Sequence, residues 1–407
     1  MSFRKAWTVW KSSSGFWKAR AGIKMVEWLK EAEKIESEII GWRRDFHRHP
    51  EIGNKEYRTT EKIIEILHSC GIETRQVLKT GVIGILRNGD GPVAAFRSDI
   101  DALPVTEEAE VPFASEVHGM MHACGHDMHM ASLLGAAKLL SMHKEAFSGT
   151  AVFIFQPDEE GDGGAQRILD TGILDELHVD SVFGAHCNPS LPAGTIGVKY
   201  GRFYAAACMY DVTVHGKGTH GAEPENGTDS LYAAARMCAA LKELTGKYDG
   251  ERAVVTVGEF HAGTARNIIS DHADFKGILR TAGLDLRASL EQKIKEILSQ
   301  IAEDAHVSYD LHMVDGYVGV TNHDEQTRLV QEAAESVLGT SQVTVEQEAT
   351  MTTEDFGFYL LNYPGAYYHI GVGCPYPLHS PKMCPDESAL KSAAAVHAAV
   401  LQRAMKG

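Results

Sequence analysis

Apolar positions after Val26 recur with helical spacing, at Trp28, Leu29, Ala32, Ile35, Ile39, Ile40 and Trp42. They predict a helix running to about His47, which His49-Pro50 then ends. A second helix is expected over Thr59 to Ser69 and a third over Met128 to His143. Between them lie short, continuous apolar runs at Val82–Leu86, Val93–Phe96 and Thr150–Phe155, which read as strands buried on both faces. Strands alternating with helices predict an α/β fold whose mainly parallel sheet is flanked by helices. Loops at the carboxyl ends of such strands carry the chemistry, and Ser98 to Pro104 and Gln156 to Glu160 fall there.

The pattern changes near Val198. Cys208 to Val214 alternates like a half-exposed strand, followed by a helix over about Asp229 to Leu244. Strands near 253–261 and 273–281, a helix over Leu284 to Asp304 and a strand at Val307–His312 complete a β-α-β-β-α-β order, the ferredoxin-like pattern. Helix and strand alternation then resumes, with a helix near Thr327–Val337 and a strand around Ala366–Ile370. The expected organisation is a catalytic α/β domain over 25–198 and 314–407, carrying an inserted α+β domain over 199–313.

At 407 residues two domains are the default. A net charge of -16 gives no basic face for nucleic acid or an anionic membrane. No apolar run reaches the roughly twenty residues needed to span a bilayer. Seven scattered cysteines fit a reducing compartment, and a cytoplasmic protein is expected. Residues 1–24 hold six basic side chains, no acidic one, and Trp7, Trp10 and Trp17. They read as a leader of uncertain status, or as sequence upstream of a start at Met25, in preference to a membrane-surface peptide.

The candidate chemistry is concentrated in Met121-His122-Ala123-Cys124-Gly125-His126-Asp127-Met128-His129. A thiolate and an imidazole separated by glycine can turn toward one cation. Adjacent carboxylates follow at Glu159-Glu160, an imidazole at His186 after another apolar run, and a further imidazole at His379 in a Pro-rich loop. Imidazole, thiolate and carboxylate together suit divalent transition metals, and the spare carboxylate suits a general base. None of these signals is convincing alone.

Their order carries a resemblance. Phe96-Arg97-Ser98-Asp99-Ile100-Asp101-Ala102-Leu103-Pro104, His122 to Asp127, Gln156-Pro157-Asp158-Glu159-Glu160, Gly184-Ala185-His186 and Leu378-His379-Ser380-Pro381 closely resemble the amidohydrolase branch of the aminoacylase and carboxypeptidase superfamily. That branch includes hippurate hydrolases, auxin-conjugate hydrolases and N-acyl-amino-acid amidohydrolases. The resemblance implies a two-metal centre held by Cys124, His126, Glu160, His186 and His379, with Glu159 as general base. The ions would be Zn, Mn or Co. Cys124 then replaces a histidine used by the wider superfamily, whose His-x-Asp is here Asp99-Ile100-Asp101, and Asp101 orients a ligand imidazole. Asp99 and Asp127 are left open between that role and satisfying loop amides, while His118, His122 and His129 take supporting roles. Asp158 departs from a common alanine, and would raise the pKa of Glu159 if the two faced each other.

The implied reaction hydrolyses the amide of an N-acyl or N-aryl-acyl amino acid, or of a short peptide. Glu159 takes a proton from metal-activated water and passes it to the departing nitrogen. His220, in the turn Gly216-Lys217-Gly218-Thr219-His220-Gly221, matches a lid histidine often supplied across a dimer. Asn267 would serve the oxyanion or substrate and Arg280 the substrate carboxylate. Read without the resemblance, these are a turn histidine, a capping asparagine and a surface arginine. A homodimer or higher homo-oligomer through the inserted domain is expected. The alternatives are a dipeptidase or carboxypeptidase using the same site, and a non-catalytic binding protein on this fold.

Overall fold

The computed structural model describes residues 26–406, so the expectations for residues 1–24 and for a start at Met25 lie outside the described residues. The first elements are α1 (Trp28–Arg48) and α2 (Tyr57–Ser69), then β1 (Glu73–Val77), β2 (Gly81–Asn88) and β3 (Val93–Asp99). They are followed by α3 (His126–Met142), β4 (Gly149–Gln156), α4 (Ala165–Asp170), α5 (Ile173–Glu176), β5 (Ser181–Asn188) and β6 (Ile196–Val198). α3 is apolar on nearly every side because it is enclosed by α1, the sheet and the C-terminal helix. It begins two residues earlier than its periodicity predicts. Gly125 takes a left-handed backbone (φ 87°) that launches the helix at His126 and puts Asp127 in its first turn.

The chain then forms β7 (Gly201–Tyr204), β8 (Ala206–His215), β9 (Thr219–His220), α6 (Ser230–Lys242), β10 (Gly246–Tyr248), β11 (Glu251–Ala262), β12 (Ile268–Ile269), β13 (His272–Thr281), α7 (Leu284–Ala305) and β14 (Ser308–Asp315). The five-stranded sheet runs β10-β11-β13-β8-β14, antiparallel throughout. Without the edge strand β10 this is the ferredoxin-like order, and α6 and α7 bury their apolar stripes in a core of its own. Asp229 caps α6 by accepting the Tyr232 N–H at 3.0 Å.

The return consists of β15 (Val320–Asn322), which pairs with β7, then α8 (Asp324–Leu338), β16 (Val343–Val345), α9 (Gly357–Asn362), β17 (Gly365–Gly371) and α10 (Ala389–Ala404). The large sheet has the order β1-β2-β4-β3-β5-β17-β6-β16. Its centre, β4-β3-β5-β17, is parallel as the continuous apolar runs imply. Antiparallel pairings occur at β1–β2, β2–β4 and β17–β6. Among the described residues no helix is long and apolar enough to cross a membrane.

His397 on α10 sits fully inside this core, between the Tyr368 hydroxyl (2.5 Å) and the Ser132 hydroxyl (3.2 Å). Burial, reinforced by His129, lowers its pKa to about 3. An unfolded histidine binds a proton below about pH 6.5 while this one does not, so its contribution to stability falls as pH drops from about 6.5 toward 3. Urea titrations across that range should show a shallower decline in stability for His397→Gln than for the parent chain.

Candidate metal centre

The sheet delivers the candidate residues to one edge. Asp99 ends β3, Glu159 and Glu160 follow β4, His186 lies near the end of β5, and His379 lies in the loop after β17. All are at the carboxyl ends of parallel strands, where an open α/β sheet leaves its crevice. The Cys124-Gly125-His126 turn reaches the same place at the N-terminus of α3.

Three groups of donor atoms converge, each lying within 4.8 Å of one another: Cys124 with His126 and His186, Cys124 with Glu160 and His379, and His126 with Glu159 and Glu160. The Cys124 sulfur stands 3.4 Å from His186 Nε2 and 3.3 Å from His379 Nε2. Glu160 Oε1 lies 3.1 Å from His379 Nε2 and 3.9 Å from His126 Nε2. The outward nitrogens of two rings are fixed by backbone carbonyls: His126 Nδ1 by Asp101 O at 2.8 Å and His186 Nδ1 by Cys187 O at 2.9 Å. Both rings thus present Nε2 inward. His126 Nε2 and Glu160 Oε1 are buried without a hydrogen-bond partner, which buried polar atoms rarely tolerate. Inward-facing sulfur, nitrogen and carboxylate donors of this kind are what divalent metals take up.

The electrostatics point the same way. Burial, then Glu160 and Glu159, push the Cys124 thiol well above its usual range. Burial acts to lower His126, but Asp99, Asp101 and Glu160 outweigh it and raise the imidazole to about 10. Burial, with Glu354, Asp355 and Glu160 adding to it, raises Glu159 well above an ordinary carboxylate. A divalent cation among these groups relieves the mutual repulsion of the carboxylates and the thiolate.

Asp101 serves differently from expectation: its carbonyl, more closely than its carboxylate, holds His126, while Oδ2 accepts the Glu160 N–H at 3.0 Å. Asp158 faces neither Glu159 nor solvent. Its backbone is left-handed (φ 63°), and its carboxylate accepts from Asn54 at 2.6 Å and Arg167 at 2.9 Å. Asp99 orients His129 at 2.6 Å, and His129 in turn accepts the Cys187 N–H at 2.9 Å. Asp127 pairs with Arg43 at 2.7 Å and His47 at 2.8 Å.

A cavity of about 940 Å³ opens from the centre, lined by Cys124, Glu159, Glu160, His186 and His379 and by Met209 and Arg280 of the five-stranded sheet. His220 and Asn267 do not line it. They are exposed together on the small β9–β12 sheet, where the Gly221 N–H donates to the Asn267 carbonyl at 2.7 Å. His118 and His122 do not line it either, and His122 is buried with both ring nitrogens unpartnered.

The motifs alone do not show what supports Glu159. Tyr317 donates to the Glu159 carbonyl at 2.5 Å, and Glu354 and Asp355 lie behind it. Between these acids is the buried Arg97, 2.8 Å from Asp99, 3.1 Å from Glu354 and 2.7 Å from Asp355. The sequence signal available was Arg97 inside an apolar strand, since a buried arginine requires acidic partners. Arg97→Met should lower unfolding free energy by about 3–5 kcal/mol, read from urea denaturation, because three buried carboxylates lose their cation.

Residues 95–403 match the Peptidase family M20/M25/M40. Thermostable carboxypeptidase 2 of Saccharolobus solfataricus is 37% identical over 388 residues, covering 92% of this chain and 97% of the relative. N-acetylcysteine deacetylase of Bacillus subtilis is 38% identical over 357 residues, 86% of this chain and 93% of the relative. The crystal structure of Bacillus subtilis YXEP protein, described as a dinuclear metal binding peptidase from the M20 family, superposes with a TM-score of 0.83 at 34% identity, covering 92% of this chain and 99% of that one.

Proposed function

The chain belongs to peptidase family M20/M25/M40 and is a hydrolase, and from that premise we propose that it releases free amino acid from N-acyl amino acids at a centre of two divalent metal ions. The observation that carries this reading is the convergence of sulfur, imidazole and carboxylate donors around Cys124 and Glu160, with His126 Nε2 unpartnered among them, beside a buried Glu159. Cys124, His126, Glu160, His186 and His379 would hold the ions, whether Zn, Mn or Co. When bound, such ions polarise a carbonyl oxygen and make water acidic enough to ionise near neutral pH.

The remaining steps belong to the chain's own side chains. Glu159 accepts the proton of the attacking water on its carboxylate. The same burial and neighbouring carboxylates that raise its pKa favour the protonated form that then delivers that proton to the departing amide nitrogen. The Tyr317 hydroxyl keeps the Glu159 backbone in place during both transfers. Arg280 has no carboxylate partner among the described residues and lies on the cavity wall, available to a substrate carboxylate. A carboxypeptidase or dipeptidase reading keeps every one of these roles, and the similarity to thermostable carboxypeptidase 2 favours it as the second reading.

The division into 25–198 with 314–407 and 199–313 is part of the same proposal, as is a homodimer formed through the inserted domain. His220 and Asn267 would reach the cavity of the partner protomer. A cytoplasmic location is supported by the seven cysteines, all free.

Metal-reconstituted protein should release amino acid from hippurate, N-acetylmethionine or a dipeptide, and lose that activity to chelator. Glu159→Gln should lower kcat by about a thousandfold or more while metal content stays at two ions per chain. Near-parental turnover by that variant would sink the assignment. Mixing inactive His220→Ala with inactive Glu159→Gln should restore activity to about one quarter of the parental value, because only mixed dimers hold one complete site. No recovery after subunit exchange would place His220 outside the reaction.

A further inference from the structure

The cavity wall holds a second polar chain that the metal centre does not use. His369 on β17 is the parallel-strand partner of the candidate ligand His186 on β5, so its ring lies on the same face of the sheet. It is 7% exposed and held at both nitrogens: Nδ1 lies 2.7 Å from Glu346 Oε1, and Nε2 lies 2.8 Å from the Tyr204 hydroxyl. The Asn188 amide nitrogen is also 3.2 Å from Nδ1, but a carboxylate can only accept, and the shorter contact sets the proton on Nδ1. In the neutral imidazole Nε2 is then the acceptor, and Tyr204 gives its single hydroxyl proton to it. The seat is built for this. A β-carbon on Gly197 would fall 2.1 Å from Glu346 Oε1, so only glycine leaves room for the carboxylate. Phe203 packs on the imidazole with ring centroids 4.5 Å apart.

With its proton committed to His369, the Tyr204 hydroxyl is left as an acceptor, and Tyr204 lines the same cavity as Cys124 and Glu159. One hydrogen-bond donor is common to the N-acyl derivatives of every amino acid except proline, the N–H of the bond to be cut. We infer that Tyr204 is a catalytic residue that accepts a hydrogen bond from the scissile amide N–H, with His369 and Glu346 positioning its hydroxyl. This deepens the amidohydrolase reading and rests on it. As the carbonyl carbon becomes tetrahedral the nitrogen pyramidalises, and its lone pair must face the protonated Glu159. An acceptor holding the N–H fixes that orientation, and no bond is made or broken at Tyr204 itself.

Matched amide and ester substrates test this, because an O-acyl hydroxy acid lacks the N–H and is otherwise the same size. Tyr204→Phe should lower kcat/KM on the amide by about tenfold or more and on the ester by less than about threefold, with metal content unchanged. His369→Gln, which keeps an acceptor for Tyr204 and a donor for Glu346, should retain more of the amide-to-ester ratio than His369→Phe, and Glu346→Gln should shift the ratio in the same direction as Tyr204→Phe. Equal losses on the two substrates, or none on the amide, overturn the role of Tyr204 while leaving the amidohydrolase reading intact. If the parent chain cleaves neither N-acyl amino acid nor ester, the underlying reading fails and this inference falls with it.

Discussion

The buried charge of Arg97 is the constraint on which the site depends. Its guanidinium is fully enclosed, and three carboxylates, Asp99, Glu354 and Asp355, surround it. Burial opposes its charge, yet those carboxylates raise its pKa well above the ordinary arginine value. An arginine so placed cannot be neutralised, so the acids must be present and correctly aimed. Two of them, Glu354 and Asp355, come from the segment between β16 and α9. Asp355 also accepts from the Gln156 amide and from the Gly164 and Ala165 N–H groups, beside the loop that carries Glu159 and Glu160. The same ion cluster therefore ties the segment before α9 to the large sheet, beside the loop that carries Glu159 and Glu160.

That cluster also shapes the chemistry. Arg97 lowers the pKa of Glu159, but burial and the acids around Arg97 act more strongly and leave it raised. Asp99 has the opposite fate. Although burial works against its charge, His126, His129 and Arg97 hold it well below the usual carboxylate range. The pKa values of these two carboxylates are thus shifted in opposite directions, Asp99 toward a fixed charge that orients imidazoles and Glu159 toward a group able to carry a proton. Separation of this kind is how one site holds both a base and an electrostatic anchor.

How much of this was legible in the sequence follows from distance along the chain. Cys124, His126 and Glu160 sit in short motifs, and the strands before them announce themselves as apolar runs. The Arg97–Asp355 pair spans 258 residues, and nothing in Thr353-Glu354-Asp355-Phe356 marks the acids as buried. β1 carries one apolar residue in Glu73–Val77 and forms because β2 offers an open edge, a tertiary effect that periodicity does not record. The start of α3 was missed for a local reason, the left-handed Gly125. The sequence sets Asp158 beside Glu159 and gives no sign of what its carboxylate meets. Its actual partners, Asn54 and Arg167, come from a loop 104 residues upstream and from the helix that follows.

The contrast between His186 and His369 shows how the fold separates roles that residue type alone does not. The two histidines are neighbours across parallel strands and share a face of the sheet. A backbone carbonyl fixes Nδ1 of His186 and leaves Nε2 directed at the Cys124 sulfur, among unpartnered donors. His369 meets a carboxylate at one nitrogen and a phenol at the other, which removes it as a ligand and makes it a relay to the cavity wall. What decides between them is the next strand. β6 crosses beside β17 with Gly197 at the point of closest approach, and that missing side chain admits Glu346. The glycine on β6, an interior strand between β17 and β16, therefore leaves the space in which Glu346 holds the second histidine of the pair.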